Sequence, residues 1–394
     1  MKILHITDGI PPITLGGTGR IVIDLAKAQA DSGYETVILT ALPANKKMTE
    51  PSGVKIFTIP AHSERWAHWR CVFSLVRERE ILGTIDSFKP EIIHAHTISR
   101  QCGYRWMSAL KKRGIKLVVT CHDVSHIAYG KVTGREKNLF WRDLKRYRWS
   151  FNPFRNVLIK KFLKNADKIL SVSDALKNYL ARRGIQAGLT VHNGIDTDFW
   201  SPALSKAEAR SKLNLPVDKF LFLFAGRLGY DKGSTLVKSS LPENAGLILA
   251  GGGYDQEFLP SRSFSFSDRT AGQMKSIYAS CDAVLVPSRC LDCFPTVCLE
   301  AMSMRRPVLA TSWGGARESV IDSKTGWIMD PLDETAWKSR MQWCVDNSDK
   351  LDAMGAAGRE RMIANFDLKR MVDQLDEIYT NLLEHRGLKG RCCN

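Results

Sequence analysis

One stretch of this 394-residue chain, from Pro287 to Ser319, constrains its fold more than any other. The stretch follows an apolar run, Ala283 to Val286, that is typical of a buried parallel strand. A helix is predicted after a short loop, opened by Phe294-Pro295-Thr296 with Pro295 in its first turn and running to about Met304, and a second strand is predicted from Pro307 to Ala310. Gly314-Gly315 then forms a tight loop. Strand, loop, helix, strand and glycine loop together make half of a nucleotide-binding unit.

Two acidic residues lie around the start of the predicted helix. Asp292 stands just before the helix, and Glu300 lies about one and a half turns inside it. A helix N-terminus favours anions such as phosphate. A carboxylate placed there carries the same charge as a phosphate, repels it and is a poor ligand for it. Ionised carboxylates only accept hydrogen bonds, which suits them to the hydroxyls of a sugar or a ribose. The pattern therefore predicts a site for a sugar-bearing ligand.

Residues 292–300, D-C-F-P-T-V-C-L-E, resemble the signature of the retaining family 4 glycosyltransferases, in which an acid is followed after seven residues by Glu. The downstream segments P-V-L-A-T-S-W-G-G-A-R-E-S-V-I-D and T-G-W-I-M make the resemblance more specific. Two residues depart from the family pattern. The first acid is Asp292 rather than the usual Glu, and Pro295 replaces a Gly and removes a backbone N–H.

The resemblance implies the GT-B fold, an α/β architecture of two Rossmann-like parallel-sheet domains facing across a cleft. The chain is too long for one ordinary domain, and its alternating strands and helices predict two parallel sheets. Residues 1–200 are expected to form an acceptor-side domain and residues 201–368 a donor-binding domain. A last helix at about 369–386 is expected to pack back onto the first domain.

The resemblance also assigns roles to individual side chains. His122, at the end of the predicted strand 116–120, matches a family His near the anomeric carbon. Arg227 and Lys232 match an Arg and a Lys that grip the diphosphate, one as a planar fork and the other as a point charge. Asp292 matches a residue that contacts the hydroxyls of the transferred sugar. Glu300 matches a residue that accepts hydrogen bonds from the ribose.

Further donor-binding residues are expected near the backbone of two helix starts. Glycines at a strand-to-helix crossing let backbone N–H groups approach a phosphate or a sugar. The residues expected to surround the donor in this way are Gly16, Gly17, Phe294, Pro295 and Thr296.

The sequence predicts neither a metal nor a cofactor, and a nucleotide-diphosphate sugar serves as the co-substrate. No D-x-D follows a predicted strand. His94 and His96 are expected to point to opposite faces of a strand, one into the core and the other at the sheet edge, so they would not form a metal pair. Cys290 and Cys293 form a C-x-x-C, but no second pair with zinc spacing exists.

The net charge of +16 is concentrated in the first half of the chain, where residues 1–200 hold 32 Lys and Arg against 17 acids. Residues 131–164 carry eleven of these cations, two acids and seven aromatics. Such a mixture favours contact with an anionic membrane surface. Two alternatives remain: a solvated face whose aromatics pack inward, or a basic groove for an acidic lipid-linked acceptor. No helix-turn-helix or zinc module predicts nucleic-acid binding.

The sequence predicts a protein of the cytoplasm, either free or peripheral on the cytoplasmic face of the membrane. The N-terminal segment M-K-I-L-H-I-T-D has the pattern of a strand and not of a signal peptide. No apolar run approaches the ~20 residues of a spanning helix. The ten cysteines are scattered, as is typical of a reducing compartment.

The predicted function is a retaining, metal-independent transfer of a sugar from a nucleotide-diphosphate sugar to a glycan or lipid-linked acceptor. Cell-envelope polysaccharide or glycoconjugate biosynthesis is the expected setting. One alternative is a non-catalytic GT-B protein that binds a nucleotide or glycan, although such a protein is expected to lose part of the set His122, Arg227, Lys232 and Glu300. Another is a nucleotide-sugar epimerase, or a phosphorylase, on the same fold.

Overall fold

The computed structural model describes residues 1–14, 16–48, 53–133, 139–251, 260–267 and 269–389. The chain divides into two compact units. The first comprises Met1–Gly130, Glu136–Asn193 and Leu368–Asn394, and the second comprises Lys131–Arg135 and Gly194–Asp367. The main division thus falls between Asn193 and Gly194, seven residues before the predicted boundary. The assignment of Lys131–Arg135 to the second unit differs from the sequence interpretation, which placed all of 131–164 in the first.

The first unit contains a seven-stranded sheet in which every strand pairs in parallel with its neighbours. Its order is β3-β2-β1-β4-β5-β6-β7. The strands are β1 Lys2–Thr7, β2 Glu35–Leu42, β3 Lys55–Pro60, β4 Ile92–Ala95, β5 Lys116–Cys121, β6 Lys168–Ser171 and β7 Leu189–Thr190. The strands are rich in buried apolar residues because helices cover both faces of a parallel sheet.

The helices of the first unit are α1 Gly17–Asp31, α2 Ala67–Phe73, α3 Leu75–Phe88, α4 Leu110–Arg113, α5 Leu139–Tyr147, α6 Arg155–Leu163, α7 Asp174–Ala181 and α15 Leu368–Lys389. Helix α1 begins at Gly17, directly after the glycine-rich loop. A 3₁₀ turn, Arg105–Ala109, leads into the short α4. Helix α15 belongs to the first unit and packs against α1.

The second unit contains a six-stranded parallel sheet in the order β10-β9-β8-β11-β12-β13. Its strands are β8 Phe220–Ala225, β9 Ala245–Ala250, β10 Ser263–Phe266, β11 Ala283–Val286, β12 Val308–Thr311 and β13 Gly326–Met329. Its helices are α8 Lys206–Lys212, α9 Ser234–Ser240, α10 Ala271–Ser280, α11 Thr296–Ser303, α12 Ala316–Ser319, α13 Glu334–Asp346 and α14 Leu351–Asn365. The two sheets confirm the predicted pair of parallel α/β units.

The core of the second unit fixes which strand ends lie side by side. Phe222, Leu285, Leu309 and Trp337 are buried in one apolar cluster that joins β8, β11 and β12 to α13. Strands β8 and β11 are neighbours in parallel register, with Phe224 opposite Leu285. Since carboxyl ends of parallel strands share one edge, the loops that follow β8 and β11 emerge together.

Candidate functional site

A glycine brings the loop after β8 into contact with the loop after β11. Gly233 ends the 3₁₀ turn Tyr230–Lys232 with a φ of 78°, a conformation that favours glycine. A Cβ built on Gly233 would lie 2.1 Å from the Pro287 carbonyl oxygen, so any other residue would force the loops apart. This close contact holds Lys232 next to the start of the loop that carries Asp292.

Lys232 and Asp292, which the sequence interpretation treated as separate ligands of the substrate, form an ion pair. Nζ of Lys232 lies 2.6 Å from Oδ2 of Asp292, and the Ser288 hydroxyl donates to the same oxygen at 2.8 Å. Both side chains are partly buried. The pair therefore couples the predicted diphosphate-binding cation to the predicted sugar-binding acid.

The two charges stabilise one another against burial. Burial by itself would lower the pKa of Lys232, but the Asp292 carboxylate raises it above the usual value of lysine. Burial would raise the pKa of Asp292, but the charges of Lys232 and then Lys131 hold it below 3.8. Both groups are therefore ionised at neutral pH.

Arg227 lies two residues after the end of β8 and is more exposed than Lys232. Its Nη2 atom donates to both carboxylate oxygens of Asp231, at 2.8 and 2.7 Å. The guanidinium is 57% exposed, so the ion pair orients it without burying it. An oriented, solvent-facing guanidinium can exchange its contact with a carboxylate for one with a diphosphate.

The backbone of Asp292 is fixed from the other side by the loop after β12. Gly315 N–H donates to the Asp292 carbonyl at 2.9 Å. Gly314 has a φ of 92°, and a Cβ placed on it would lie 2.1 Å from the same carbonyl oxygen. The glycine loop that the sequence indicated thus holds the acid in place by close backbone contact.

Glu300 lies in α11, which begins at Thr296, with Pro295 as its N-cap rather than in the predicted first turn. The Tyr278 hydroxyl donates to Oε2 of Glu300 at 2.7 Å and fixes the orientation of the carboxylate. Burial, followed by the Glu300 charge, raises the pKa of Tyr278 well above its usual value, which keeps the hydroxyl protonated as a donor.

The residues at the start of α11 differ in exposure. Phe294 is 5% exposed, and its ring packs 5.6 Å from that of Phe366. Pro295 occupies the N-cap with an extended backbone and makes no side-chain cap. Phe294 is therefore a packing residue in this structure, whereas Thr296 is half-buried at the first helical position.

Gly16 and Gly17 lie in the first unit. Gly16 is the extended N-cap residue of α1, and Gly17 is the first residue of that helix. Both are exposed. Their use by the donor stays a prediction.

His122 follows β5 and ends a row of buried side chains in the first unit. Its Nε2 lies 3.0 Å from Nδ1 of His96. Nε2 of His96 lies 3.0 Å from Nδ1 of His5, and Nε2 of His5 lies 2.8 Å from Oε1 of Gln29. Burial lowers the pKa of His5 and of His122 to about 4 and that of His96 well below its usual value. All three imidazoles are thus neutral at physiological pH.

The expectation that His94 and His96 point to opposite faces of a strand is wrong. Side chains two residues apart on a strand lie on the same face, so the two rings lie side by side at the end of β4, with centroids 4.1 Å apart. Both residues are buried. Nδ1 of His94 lies 2.5 Å from the Tyr379 hydroxyl and its Nε2 lies 2.7 Å from the Thr120 hydroxyl.

Three of these imidazoles, those of His5, His94 and His96, have ring nitrogens close enough to one another to hold a metal ion. Each of their ring nitrogens already has a hydrogen-bond partner within the protein. An ion would have to break those bonds, so the protein's own contacts account for the cluster. Metal independence stays a prediction.

Sequence reasoning missed three contributors to the candidate donor site, namely Lys131, Ser288 and Tyr278. Lys131 was read only as part of a basic stretch. Residues 131–133 belong instead to the second unit, where Leu291 N–H donates to the Val132 carbonyl at 2.8 Å. The contacts of Lys131 with Asp292 and of Tyr278 with Glu300 join separate segments, which a pattern in one segment does not mark. Ser288 lies only four residues before Asp292, and its contact depends on the shape of the loop between them.

A surface on α5, α6 and their connection, here called the α5–α6 patch, keeps the predicted mixture of aromatic and basic side chains. Its exposed apolar residues are Phe140, Trp141, Trp149, Phe154 and Val157, with Trp149 90% exposed. Phe151, by contrast, is buried. Residues 134–138 lie outside the described residues. Among the described residues, no helix is both long enough and apolar enough to cross a membrane.

The sequence matches two family models. Residues 15–199 match Glycosyltransferase Family 4 and residues 205–361 match Glycosyl transferases group 1. Glycogen synthase of Mycobacterium tuberculosis is 24% identical over 417 residues, which span 96% of this chain and 94% of that protein.

Solved structures share the fold over nearly the whole chain. Sucrose-phosphate synthase from Thermosynechococcus elongatus has a TM-score of 0.81 at 20% identity and covers 98% of this chain and 99% of its own. Anabaena HepE in complex with UDP-glucose has a TM-score of 0.71 at 19% identity and covers 97% of this chain and 100% of its own. The chain therefore belongs to the group 1 glycosyltransferases and has the GT-B fold that its sequence predicts.

Proposed function

We propose that this protein is a retaining, metal-independent glycosyltransferase that moves a sugar from a nucleotide-diphosphate sugar to a glycan or lipid-linked acceptor. The observation that carries the proposal is the Lys232–Asp292 ion pair at the carboxyl edge of the second sheet. It joins a cation suited to a diphosphate with an acid suited to sugar hydroxyls. Arg227 adds a second oriented cation on the same loop.

In the proposed reaction, the bond between the anomeric carbon and the diphosphate oxygen breaks first. Negative charge then develops on the leaving diphosphate, where Lys232 and Arg227 stabilise it. The acceptor hydroxyl attacks from the leaving-group side, and its proton passes to a diphosphate oxygen. This course retains the configuration and needs no protein nucleophile. Glu300, oriented by Tyr278, accepts from the ribose hydroxyls.

The nucleotide sugar is the ligand for which the relatives give a precedent. HepE was solved with UDP-glucose bound, and the glycogen synthase relative carries a polysaccharide product in its name. Cell-envelope polysaccharide or glycoconjugate biosynthesis in the cytoplasm is the setting we propose for this chain. The base, the sugar and the acceptor are to be identified experimentally.

A panel of nucleotide-diphosphate sugars tests the proposal through two readouts, thermal shift and release of the nucleotide diphosphate. We expect one donor both to raise the melting temperature and to be hydrolysed slowly without an acceptor. A donor that stabilises the protein without any turnover would favour the non-catalytic binding protein. Conversion of the donor into its sugar epimer would favour the epimerase.

Activity is expected to persist in excess EDTA. Lys232 and Arg227 already supply positive charge for the diphosphate, a role that a divalent cation fills in other sites. Initial rates with and without chelator measure this directly. Loss of activity with EDTA and recovery with magnesium or manganese would contradict metal independence.

The α5–α6 patch is expected to bind anionic membranes. Exposed Trp and Phe favour the headgroup boundary, and each nearby cation contributes about 1 kcal/mol on an anionic surface. In a flotation assay at low salt, the protein should rise with anionic vesicles and stay behind with neutral ones. Binding should weaken as salt screens the charges.

Two matched charge-reversal variants distinguish membrane binding by the α5–α6 patch from binding by the overall positive charge of the first unit. Reversal of five cations in the patch should abolish flotation: Lys145, Arg146, Arg148, Lys160 and Lys161. Reversal of five exposed cations elsewhere in the first unit should weaken it far less: Lys27, Lys46, Lys47, Lys111 and Lys112. Equal loss in both variants, or no flotation of the unmodified protein, would refute membrane contact by the patch.

A further inference from the structure

The hydrogen-bonded row from Gln29 through His5 and His96 to His122 has a fixed number of N–H donors. A neutral imidazole carries one N–H donor and one bare nitrogen acceptor. Each hydrogen bond in the row needs one of each, so the tautomer of one ring determines that of the next. Gln29, His5 and His96 are all at most 1% exposed, which excludes solvent as an alternative partner for these rings.

Gln29 determines which way the hydrogen bonds of the row run. Its side-chain oxygen Oε1 can only accept and faces Nε2 of His5, so that nitrogen must carry the proton. Nδ1 of His5 then accepts from Nε2–H of His96. Nδ1 of His96 in turn accepts from Nε2–H of His122.

The last atom of the row is Nδ1 of His122. His122 is 8% exposed, and among the residues that the structure describes Nδ1 has no hydrogen-bond partner. A buried acceptor without a partner is costly. The direction of the row makes this nitrogen a bare lone pair suited to an O–H donor.

We propose that Gln29, His5 and His96 are positioning residues that hold His122 with its proton on Nε2, so that Nδ1 accepts a hydrogen bond from a hydroxyl of the sugar substrate. The inference rests on the proposed function for the identity of the ligand. The tautomer itself follows from the geometry of the first unit alone.

His94 stacks against the row but does not belong to it. Its ring nitrogens contact the Tyr379 and Thr120 hydroxyls, not another imidazole. The Tyr379 hydroxyl also interacts with the Gln29 side chain, so His94 is not independent of Gln29 and its tautomer is followed beside that of His122.

Long-range ¹H–¹⁵N spectra of protein with ¹⁵N-labelled histidine report the tautomer of each ring, and a His122→Gln variant assigns the His122 signal. We expect the Nε2–H form for His122 in the unmodified protein. Gln29→Met removes the acceptor at a similar size and should give a mixture of His122 tautomers. Gln29→Glu, which can only accept when ionised, should restore the Nε2–H form.

The same variants should alter turnover of the donor identified in the nucleotide-sugar panel. Because the hydrogen bond from the sugar hydroxyl to Nδ1 of His122 would be mispositioned, we expect a roughly three- to tenfold loss of kcat/KM in Gln29→Met. In Gln29→Glu, kcat/KM should recover to within about twofold of the unmodified protein. If Gln29→Met does not fold, His5→Asn cuts the same link and carries the same expectation.

An Nδ1–H form of His122 in the unmodified protein would mean that the row runs in the opposite direction and would overturn the proposal. The proposal would also be overturned if the His122 tautomer did not change in Gln29→Met, or if the tautomer changed and kcat/KM did not. If no nucleotide sugar is turned over at all, the proposed function fails, but the spectra still decide whether the row sets the tautomer.

Discussion

Lys232→Ala is expected to lower turnover about 100-fold, the usual effect of removing one preorganised group from a developing charge. Two consequences combine at this position. The leaving diphosphate loses a cation, and the partly buried Asp292 carboxylate loses the group 2.6 Å away that compensates its charge. The measurement is the initial rate with the identified donor, together with a melting curve.

Lys238→Ala is the matched control, since it removes the same charge from an exposed position on α9. Its turnover should stay within about twofold of the unmodified protein. Turnover of a folded Lys232→Ala protein within threefold of normal would remove Lys232 from the donor site. In the double variant with Asp292→Asn, the two effects should not add, because the residues are in direct contact.

The pH dependence of stability follows from the signs of the two pKa shifts. The contribution of Asp292 is lost only as pH falls through a folded pKa below 3.8, and that of Lys232 only as pH rises through one above 10.5. The contribution of the pair to the melting temperature of the unmodified protein should therefore stay constant from about pH 5 to pH 9. In Lys232→Ala the pKa of the partly buried Asp292 rises, so the difference in melting temperature between the two proteins should narrow as the pH falls and Asp292 of the variant is protonated.

Gly314→Ala is expected to lower turnover about as much as Lys232→Ala does, for a different reason. The residue must keep a φ of 92°, and its new Cβ would lie 2.1 Å from the Asp292 carbonyl oxygen. The backbone must move, at a cost of roughly 2–4 kcal/mol, and Asp292 moves with it. A displacement of about 1 Å in a catalytic group costs on the order of 100-fold in rate.

Gly272→Ala tests whether the effect is specific to that contact. Gly272 lies in α10, and a Cβ there meets no atom within 4 Å. Alanine in a helix is favoured over glycine by roughly 0.5–1 kcal/mol, so this variant should be as stable or more stable, with normal turnover. A Gly314→Ala protein with normal rate and melting temperature would show that the loop does not hold Asp292.

The amino-acid sequence determined the elements of the sheets. Strand β11 occupies the predicted residues 283–286, and β5 begins at the predicted residue 116, because the patterns of apolar residues and turns that specify them are local. The segment Phe294-Pro295-Thr296 predicted the region where α11 starts, although Pro295 is the N-cap and not part of the first turn. The resemblance of residues 292–300 to a family signature added the candidate ligands Asp292 and Glu300.

The tertiary structure decided which of these residues meet. Lys232 and Asp292 are sixty positions apart, and only the adjacency of β8 and β11, with the close contact of Gly233, pairs them. The row from Gln29 to His122 likewise draws on four separate segments. The placement of His94 and His96 on opposite faces was wrong for a local reason, since side chains two residues apart on a strand share a face. Local patterns fix local backbone, whereas hydrogen-bond partners and charge compensation depend on packing between distant segments, which a pattern in one segment does not contain.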